Sequence, residues 1–131
     1  MTSNHHIRLV DCEKIILEAD RDKIGQVLNN LLSNAIKYSP KGGTITIGCE
    51  KLDAKVKIFV KDEGVGISPA DQKRLFERFY RSKDEKIKTV SGFGIGLYLV
   101  AEILRLHHSR IGVESMEGEG STFYFTMNCA D

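Results

Sequence analysis

Read at about 100° per residue, the stretch DRDKIGQVLNNLLSNAIKYS, Asp20 to Ser39, gathers Ile24, Val27, Leu28, Leu31, Leu32 and Ala35 on one side of a helix. That stripe demands a core to bury it. The same wheel places Lys23, Asn30, Asn34 and Lys37 together on another flank, with Asn34 beside the edge of the apolar stripe. A polar seam therefore runs along the rim of a core. An amide carbonyl is a neutral oxygen ligand and an ammonium is a point charge, so this flank can reach a metal ion and its phosphates. Asn and Lys on a helix flank are more often only solvated, and the rest of the chain has to separate the two readings.

The chain has 131 residues and a mass of 14.7 kDa, enough for one domain. A chain of that length buries about two thirds of its unfolded surface, which suits one sheet with helices on it. Nineteen basic against eighteen acidic side chains give a net charge of +1. No strong field draws it to nucleic acid or anionic lipid, so any phosphate chemistry must come from local groups. Cys12, Cys49 and Cys129 lie far apart and show no CxxC spacing. They read as ordinary thiols of a reducing compartment, with neither a zinc site nor a disulfide framework. No run has the apolar length of a membrane span, and Met1 to His6 lacks signal-peptide character, which predicts a soluble, cytoplasmic chain. His5 and His6 have no partners at ligand spacing and read as an exposed start.

His6 to Cys12 and Lys14 to Ala19 are rich in Ile, Val and Leu on either side of a polar break, giving two short strands or a bent hairpin. Asp20 supplies an N-cap for the long helix, and Pro40, Gly42 and Gly43 stop it. TITIGCE then alternates like a half-buried strand, and a turn at Leu52 to Ala54 leads into KVKIFVKDEG, an antiparallel hairpin that delivers Asp62 to a strand end.

In DEGVG, Asp62 to Gly66, the glycines at 64 and 66 leave no Cβ in the way, so a flat ring could approach the main chain. A buried carboxylate that accepts a hydrogen bond from adenine's exocyclic amine would reject guanine, which offers an oxygen there. Alone, DxGxG is weak, because Asp and Gly at a strand-to-loop turn are common.

Ser68 and Pro69 carry N-cap and first-turn chemistry for the next helix, along which Leu75, Phe76 and Phe79 recur at helical spacing as core or lid anchors. Arg78 and Arg81 close that segment and suit a helix dipole. From Ser82 to Gly92 the chain is polar, lysine-rich and poor in apolar residues, as a mobile loop would be. Gly92, Gly94 and Gly96 then feed a helix carrying Ile95, Leu99, Val100, Ile103 and Leu104. Such a loop offers backbone N–H groups and a positive dipole end to phosphate. It lacks GxxxxGK[ST] and does not follow a strand, so neither a P-loop nor a dinucleotide fingerprint is supported. RIGVESM and STFYFTM, flanking Glu117 to Gly120, form a closing hairpin.

The ordered set NNLLSNAIKYS, DEGVGI, LFERFYR and GFGIGL, followed by VES and GSTF, resembles the catalytic ATP-binding domain of bacterial sensor histidine kinases, in the superfamily shared with gyrase, Hsp90 and MutL. The match covers nearly the whole chain, and four motifs in order are far more specific than any one. The resemblance implies an α/β (α+β) two-layer sandwich: a mixed, mostly antiparallel sheet with about three helices on one face, and ATP between the long helix and the glycine loops. By position it implies that Asn34 ligates Mg²⁺, with Asn30 and Lys37 near the phosphates. Tyr38 would lie beside adenine or ribose, Asp62 would hold the adenine amine, and Gly64 and Gly66 would shape the base pocket. Arg81 would approach the γ-phosphate. Gly92, Gly94 and Gly96, with Leu97 following, would border the phosphates through a lid held by Phe76 and Phe79.

The implied reaction is transfer of the γ-phosphoryl to a histidine, with Asn30, Lys37 and Arg81 as its catalytic side chains, mostly by positioning and charge neutralisation. In hydrolysing relatives a glutamate one turn before the metal asparagine activates water. Here that place is Asn30, which cannot accept a proton, so a phosphotransferase is favoured over a stand-alone ATPase. The family's acceptor histidine lies on a separate helical dimerisation hairpin that this sequence does not include, so the fragment is expected to be monomeric and to act with that hairpin and a downstream response regulator. None of His5, His6, His107 and His108 lies in the acceptor motif; His107 suits a helix C-terminus. The rival reading is a nucleotide-sensing interaction module without transfer activity. The chain departs from its relatives in two places: His107, His108 and Ser109 stand where many relatives read HGG, and Phe93 occupies a lid position where a small polar residue is usual.

Overall fold

The computed structural model describes residues 5–9, 21–77 and 96–128. In chain order the elements are β1 (His5–Leu9), α1 (Arg21–Lys37), β2 (Gly43–Leu52), β3 (Lys55–Asp62), α2 (Pro69–Gln72), α3 (Gly96–Leu106), β4 (Gly112–Met116) and β5 (Gly120–Asn128). The strands form one five-stranded sheet in the order β1-β2-β3-β5-β4. Among the described residues the β1–β2 pair is parallel, and the β2–β3, β3–β5 and β4–β5 ladders run antiparallel. This is the mixed, mostly antiparallel α/β sheet anticipated from the motifs.

Along β5 the side chains of Phe123, Phe125 and Met127 are buried while Thr122, Tyr124 and Thr126 are only half-buried, so one face of the sheet is covered and the other is more open. The cover is α1 and α3, which pack against each other. Val27, Leu31 and Ala35 of α1 are almost fully buried with Ile45, Val56, Val60 and Phe123 of the sheet and with Val100 and Leu104 of α3. Each large member of such a cluster contributes about 2–5 kcal/mol when measured by truncation to alanine. On the more open face, Lys57 Nζ lies 4.6 Å from the centre of the Tyr124 ring.

Several local readings need correction. His5 is buried, because the parallel register pairs it with Gly43 and brings its ring onto the turn that ends α1. There His5 Nε2 lies 2.8 Å from the Ser39 carbonyl and 3.2 Å from Ser39 Oγ, which itself donates to the Ala35 carbonyl. β1 runs parallel to β2; the stretch Lys14 to Ala19, read as a second short strand or the other arm of a bent hairpin, and the Asp20 cap lie outside the described residues. Cys49 is disulfide-bonded, with a partner outside the described residues, and so is not the free thiol its isolated position suggested. The helix after Ser68 is a single turn: α2 ends at Gln72 and turns follow to Glu77. Its cap is as read, with Ser68 Oγ accepting from the Asp71 N–H.

The helix end at 107–109 takes the left-handed form despite lacking glycine. His108 has φ +59°, its N–H donates to the Arg105 carbonyl, and the Ser109 N–H donates to the Leu104 carbonyl. These two bonds make a Schellman cap around a non-glycine residue. His107 Nδ1 lies 2.9 Å from the Ile103 carbonyl, fitting the helix-end role assigned to it.

Candidate functional site

The polar seam of α1 faces two other segments. At its middle, a Cβ built on Gly96, the first residue of α3, would stand 4.0 Å from Asn30 Oδ1. At its end, the Val65 N–H donates to the Tyr38 carbonyl at 2.9 Å, tying the loop after β3 to the last turn of α1. Asn34 lies one helical turn from Asn30 and about one from Tyr38. One helix flank therefore adjoins both glycine-bearing segments that are distant in sequence.

The loop after β3 is built around Asp62. Its carboxylate is almost completely buried, with Oδ1 accepting from the Gly64 N–H at 2.8 Å and a further hydrogen bond from the backbone of Ser121. Burial pushes the Asp62 carboxyl up to about 6, and the Gly64 and Ser121 hydrogen bonds oppose that rise without cancelling it. Gly64 is required for a steric reason. A Cβ there would stand 1.9 Å from the Tyr38 carbonyl oxygen, and no rearrangement of a side chain relieves a clash with backbone. Gly66 has φ +74°, and its Cβ would stand 2.0 Å from the Met116 carbonyl oxygen.

Among the described residues, three buried side-chain atoms lack a hydrogen-bond partner: Asn30 Nδ2, Asn34 Nδ2 and Asp62 Oδ2. An unsatisfied buried polar atom costs about 1–3 kcal/mol, and a folded chain keeps few of them without reason. Here all three belong to residues singled out for a nucleotide. Asp62 Oδ2 is an acceptor, suited to an exocyclic amine. The amides present a donor, and because amide O and N differ little in shape, a half-turn about the last torsion presents a carbonyl oxygen instead. No group of three or more His, Cys, Asp or Glu side chains able to hold a metal occurs among the described residues. A small hard cation would have to rely on amide oxygen, water and a phosphate-bearing ligand, the manner in which magnesium is usually held at nucleotide sites.

The remaining candidates divide. Lys37 ends α1 half-buried, Tyr38 is buried, and Leu97 is half-buried in the first turn of α3. Phe76 packs edge-to-face on Phe123 with ring centres 6.3 Å apart, which makes it a core anchor. Phe79, Arg81, Gly92 and Gly94, and the Phe93 departure, lie outside the described residues. The sequence reading gave Glu63 and Ser121 no role. Glu63 Oε1 accepts from the Thr44 N–H at 2.8 Å, fastening the loop to β2, and Ser121 reaches Asp62 from β5. The bond comes from the Ser121 main chain, so the residue type at that position carried no signal for it.

The chain is similar to known proteins over most of its length. The profile of the histidine kinase-, DNA gyrase B- and HSP90-like ATPases matches residues 19–131. The chain is 40% identical over 132 residues to the sensor histidine kinase WalK of Bacillus subtilis, covering 97% of this chain and 22% of WalK. It is 46% identical over 113 residues to the adaptive-response sensory kinase SasA of a Synechococcus strain, covering 85% of this chain and 29% of SasA. It thus spans under a third of the length of these curated relatives. Among solved structures, the catalytic domain of histidine kinase ThkA superposes with a TM-score of 0.77 at 32% identity, covering 93% of this chain and 78% of that one. Full-length ShkA in complex with AMPPNP superposes with a TM-score of 0.77 at 26% identity, covering 95% of this chain and 26% of that one.

Proposed function

Because the chain belongs to the histidine kinase-, DNA gyrase B- and HSP90-like ATPase family, we propose that it binds Mg²⁺-ATP along the α1 seam and passes the γ-phosphoryl to a histidine on a separate helical dimerisation domain, within two-component signalling. The observation that carries this reading is the set of three unpartnered buried atoms, Asn30 Nδ2, Asn34 Nδ2 and Asp62 Oδ2, on elements held together by the Val65–Tyr38 hydrogen bond.

In this reading Asp62 Oδ2 accepts from the exocyclic amine of adenine while Gly64 and Gly66 keep side chains out of the base site. Tyr38 borders the base or ribose. Asn34 offers its amide oxygen to Mg²⁺, and Asn30 and Lys37 attend the phosphates, joined by Arg81. The start of α3 at Gly96, with Leu97 behind it, offers N–H groups toward the same charge. Bound Mg²⁺ would neutralise phosphate charge that develops in transfer. The γ-phosphorus exchanges its bond to the bridging oxygen for one to an imidazole nitrogen, and ADP departs. The protein's part is positioning, since Asn30 cannot take a proton from water and so does little for hydrolysis.

The test is to supply a cognate acceptor hairpin with radiolabelled ATP and Mg²⁺. The reading predicts phosphohistidine that disappears with Asn34→Ala. Tight ATP binding without transfer would instead identify a nucleotide-sensing docking module, and rapid phosphate release by the isolated chain would identify an ATPase.

A further inference from the structure

The loop that carries Asp62 is stitched along one whole side to the β4–β5 hairpin, and one hydroxyl lies at the centre of the stitching. Ser115 Oγ accepts from the Ile67 N–H at 2.8 Å, lies 3.0 Å from the Gly120 carbonyl and 2.7 Å from Ser121 Oγ. A serine hydroxyl has one proton and two lone pairs. The Gly120 carbonyl can only accept and the Ile67 N–H can only donate, so Ser115 gives its proton to Gly120 and Ser121 donates to Ser115. Every position on the Ser115 oxygen is then used. Gln72 closes the other side, its Nε2 donating to the Ile67 carbonyl at 2.7 Å and to the Ser115 carbonyl at 3.1 Å. The Gly118 N–H adds a bond to the Val65 carbonyl.

This hub reaches the carboxylate in one step. Ser121, which Ser115 holds through its hydroxyl, also hydrogen-bonds the Asp62 carboxylate from its backbone. A Cβ on Gly120, whose carbonyl takes the Ser115 proton, would stand 2.2 Å from the Asp62 carbonyl oxygen, so the two strand ends are in direct contact. The position of Asp62 relative to the loop that faces it is thus set from both ends by the same oxygen.

We infer that Ser115 is a positioning residue for base selection: through Ile67 and Ser121 its hydroxyl fixes the distance between the Asp62 carboxylate and the Gly64–Ile67 wall, and thereby the preference for adenine over guanine. The inference rests on the nucleotide-binding reading given above and assigns Ser115 no contact with nucleotide. Gln72 acts on the same hub from α2.

The test compares calorimetric affinities of the folded chain for ATP, GTP and inorganic tripolyphosphate, all with Mg²⁺, in the wild type, Ser115→Ala, Ser115→Thr and Gln72→Ala. Loss of a charge-adjacent buried hydrogen bond corresponds to roughly a tenfold effect. Ser115→Ala is expected to weaken ATP about tenfold, leave tripolyphosphate within about twofold, and narrow the ATP-to-GTP ratio; Ser115→Thr, which keeps the hydroxyl, restores the ratio. Gln72→Ala narrows it to a smaller degree, and carries the test should Ser115→Ala fail to fold. A ratio unchanged in Ser115→Ala, or in Gln72→Ala where that variant stands in, overturns the inference while leaving the nucleotide reading intact. A wild-type chain that binds no ATP overturns the reading beneath it.

Discussion

Gly64 donates its N–H to Asp62 Oδ1, and in doing so leaves Asp62 Oδ2 as the buried oxygen without a partner. The loop thus orients its own acid, with one oxygen spent on the backbone and the other reserved. That arrangement has a pH signature. Burial pushes the Asp62 carboxyl up to about 6, so the folded chain holds this proton more tightly than the unfolded chain does. The group therefore costs stability as pH rises from the ordinary carboxylate range to about 6, and the cost is constant above that. Thermal unfolding of wild type and Asp62→Asn from pH 4 to 8 should show the wild type losing ground across that window. ATP affinity should run the other way. Protonation places a hydrogen on the free Oδ2 and turns the acceptor into a donor facing the adenine amine, so affinity should fall below about pH 6 in the wild type and lose that dependence in Asp62→Asn.

Gly64 and Gly118 make a matched pair. A Cβ at Gly64 meets the Tyr38 carbonyl oxygen at 1.9 Å, whereas one at Gly118 meets nothing within 4 Å. Gly118 does have φ +84°, so alanine there still costs about 1 kcal/mol from backbone strain alone. Gly64→Ala should cost about 1–3 kcal/mol and displace the loop from α1. Denaturant unfolding and ATP titration of both variants check this: both lose stability, and only Gly64→Ala loses nucleotide affinity.

His5 holds the edge strand to the end of α1 through Ser39. His5→Ala leaves the Ser39 carbonyl without that donor and opens space under the turn, and should cost about 2 kcal/mol. Hydrogen exchange should show faster opening at His6 to Leu9 and at Ser39, with the β3–β5 ladder unaffected.

His108 carries a left-handed cap at φ +59° that glycine adopts without strain. His108→Gly should raise stability by about 1 kcal/mol, and a urea midpoint displaced upward at constant slope would establish it.

Much of this architecture is legible in the sequence, for reasons that differ by element. The α1 stripe is visible because Val27, Leu31 and Ala35 repeat at helical spacing and are buried as that spacing demands. The β2–β3 and β4–β5 hairpins show through alternation and turn residues. What could not be read is whatever depends on which strands are neighbours in space. His5 looked like an exposed terminus because nothing local reveals its parallel pairing with Gly43, and Cys49 looked like a free thiol because cysteine spacing along the chain does not reveal which thiols meet in space. The same limit applies to the site. Asn34 and Asp62 stood out from motif and chemistry, but Glu63 bonding Thr44 and Ser121 bonding Asp62 are cross-strand contacts without a periodic signature. Phe76 was legible as a hydrophobe at helical spacing, although the chain there forms turns and its ring settles on Phe123.

The most direct test follows the atoms that have no partner. In an isotope-labelled chain, the side-chain amide resonances of Asn30 and Asn34 and the backbone amide of Gly64 report on the seam and on the Asp62 loop separately. Titration with ATP and Mg²⁺ should shift all three together with one saturable midpoint, and GTP at the same concentration should not. If ATP leaves these resonances in place, or moves instead those of Phe59 and Tyr124 on the opposite face of the sheet, the nucleotide does not bind where the unsatisfied groups are and the account is wrong.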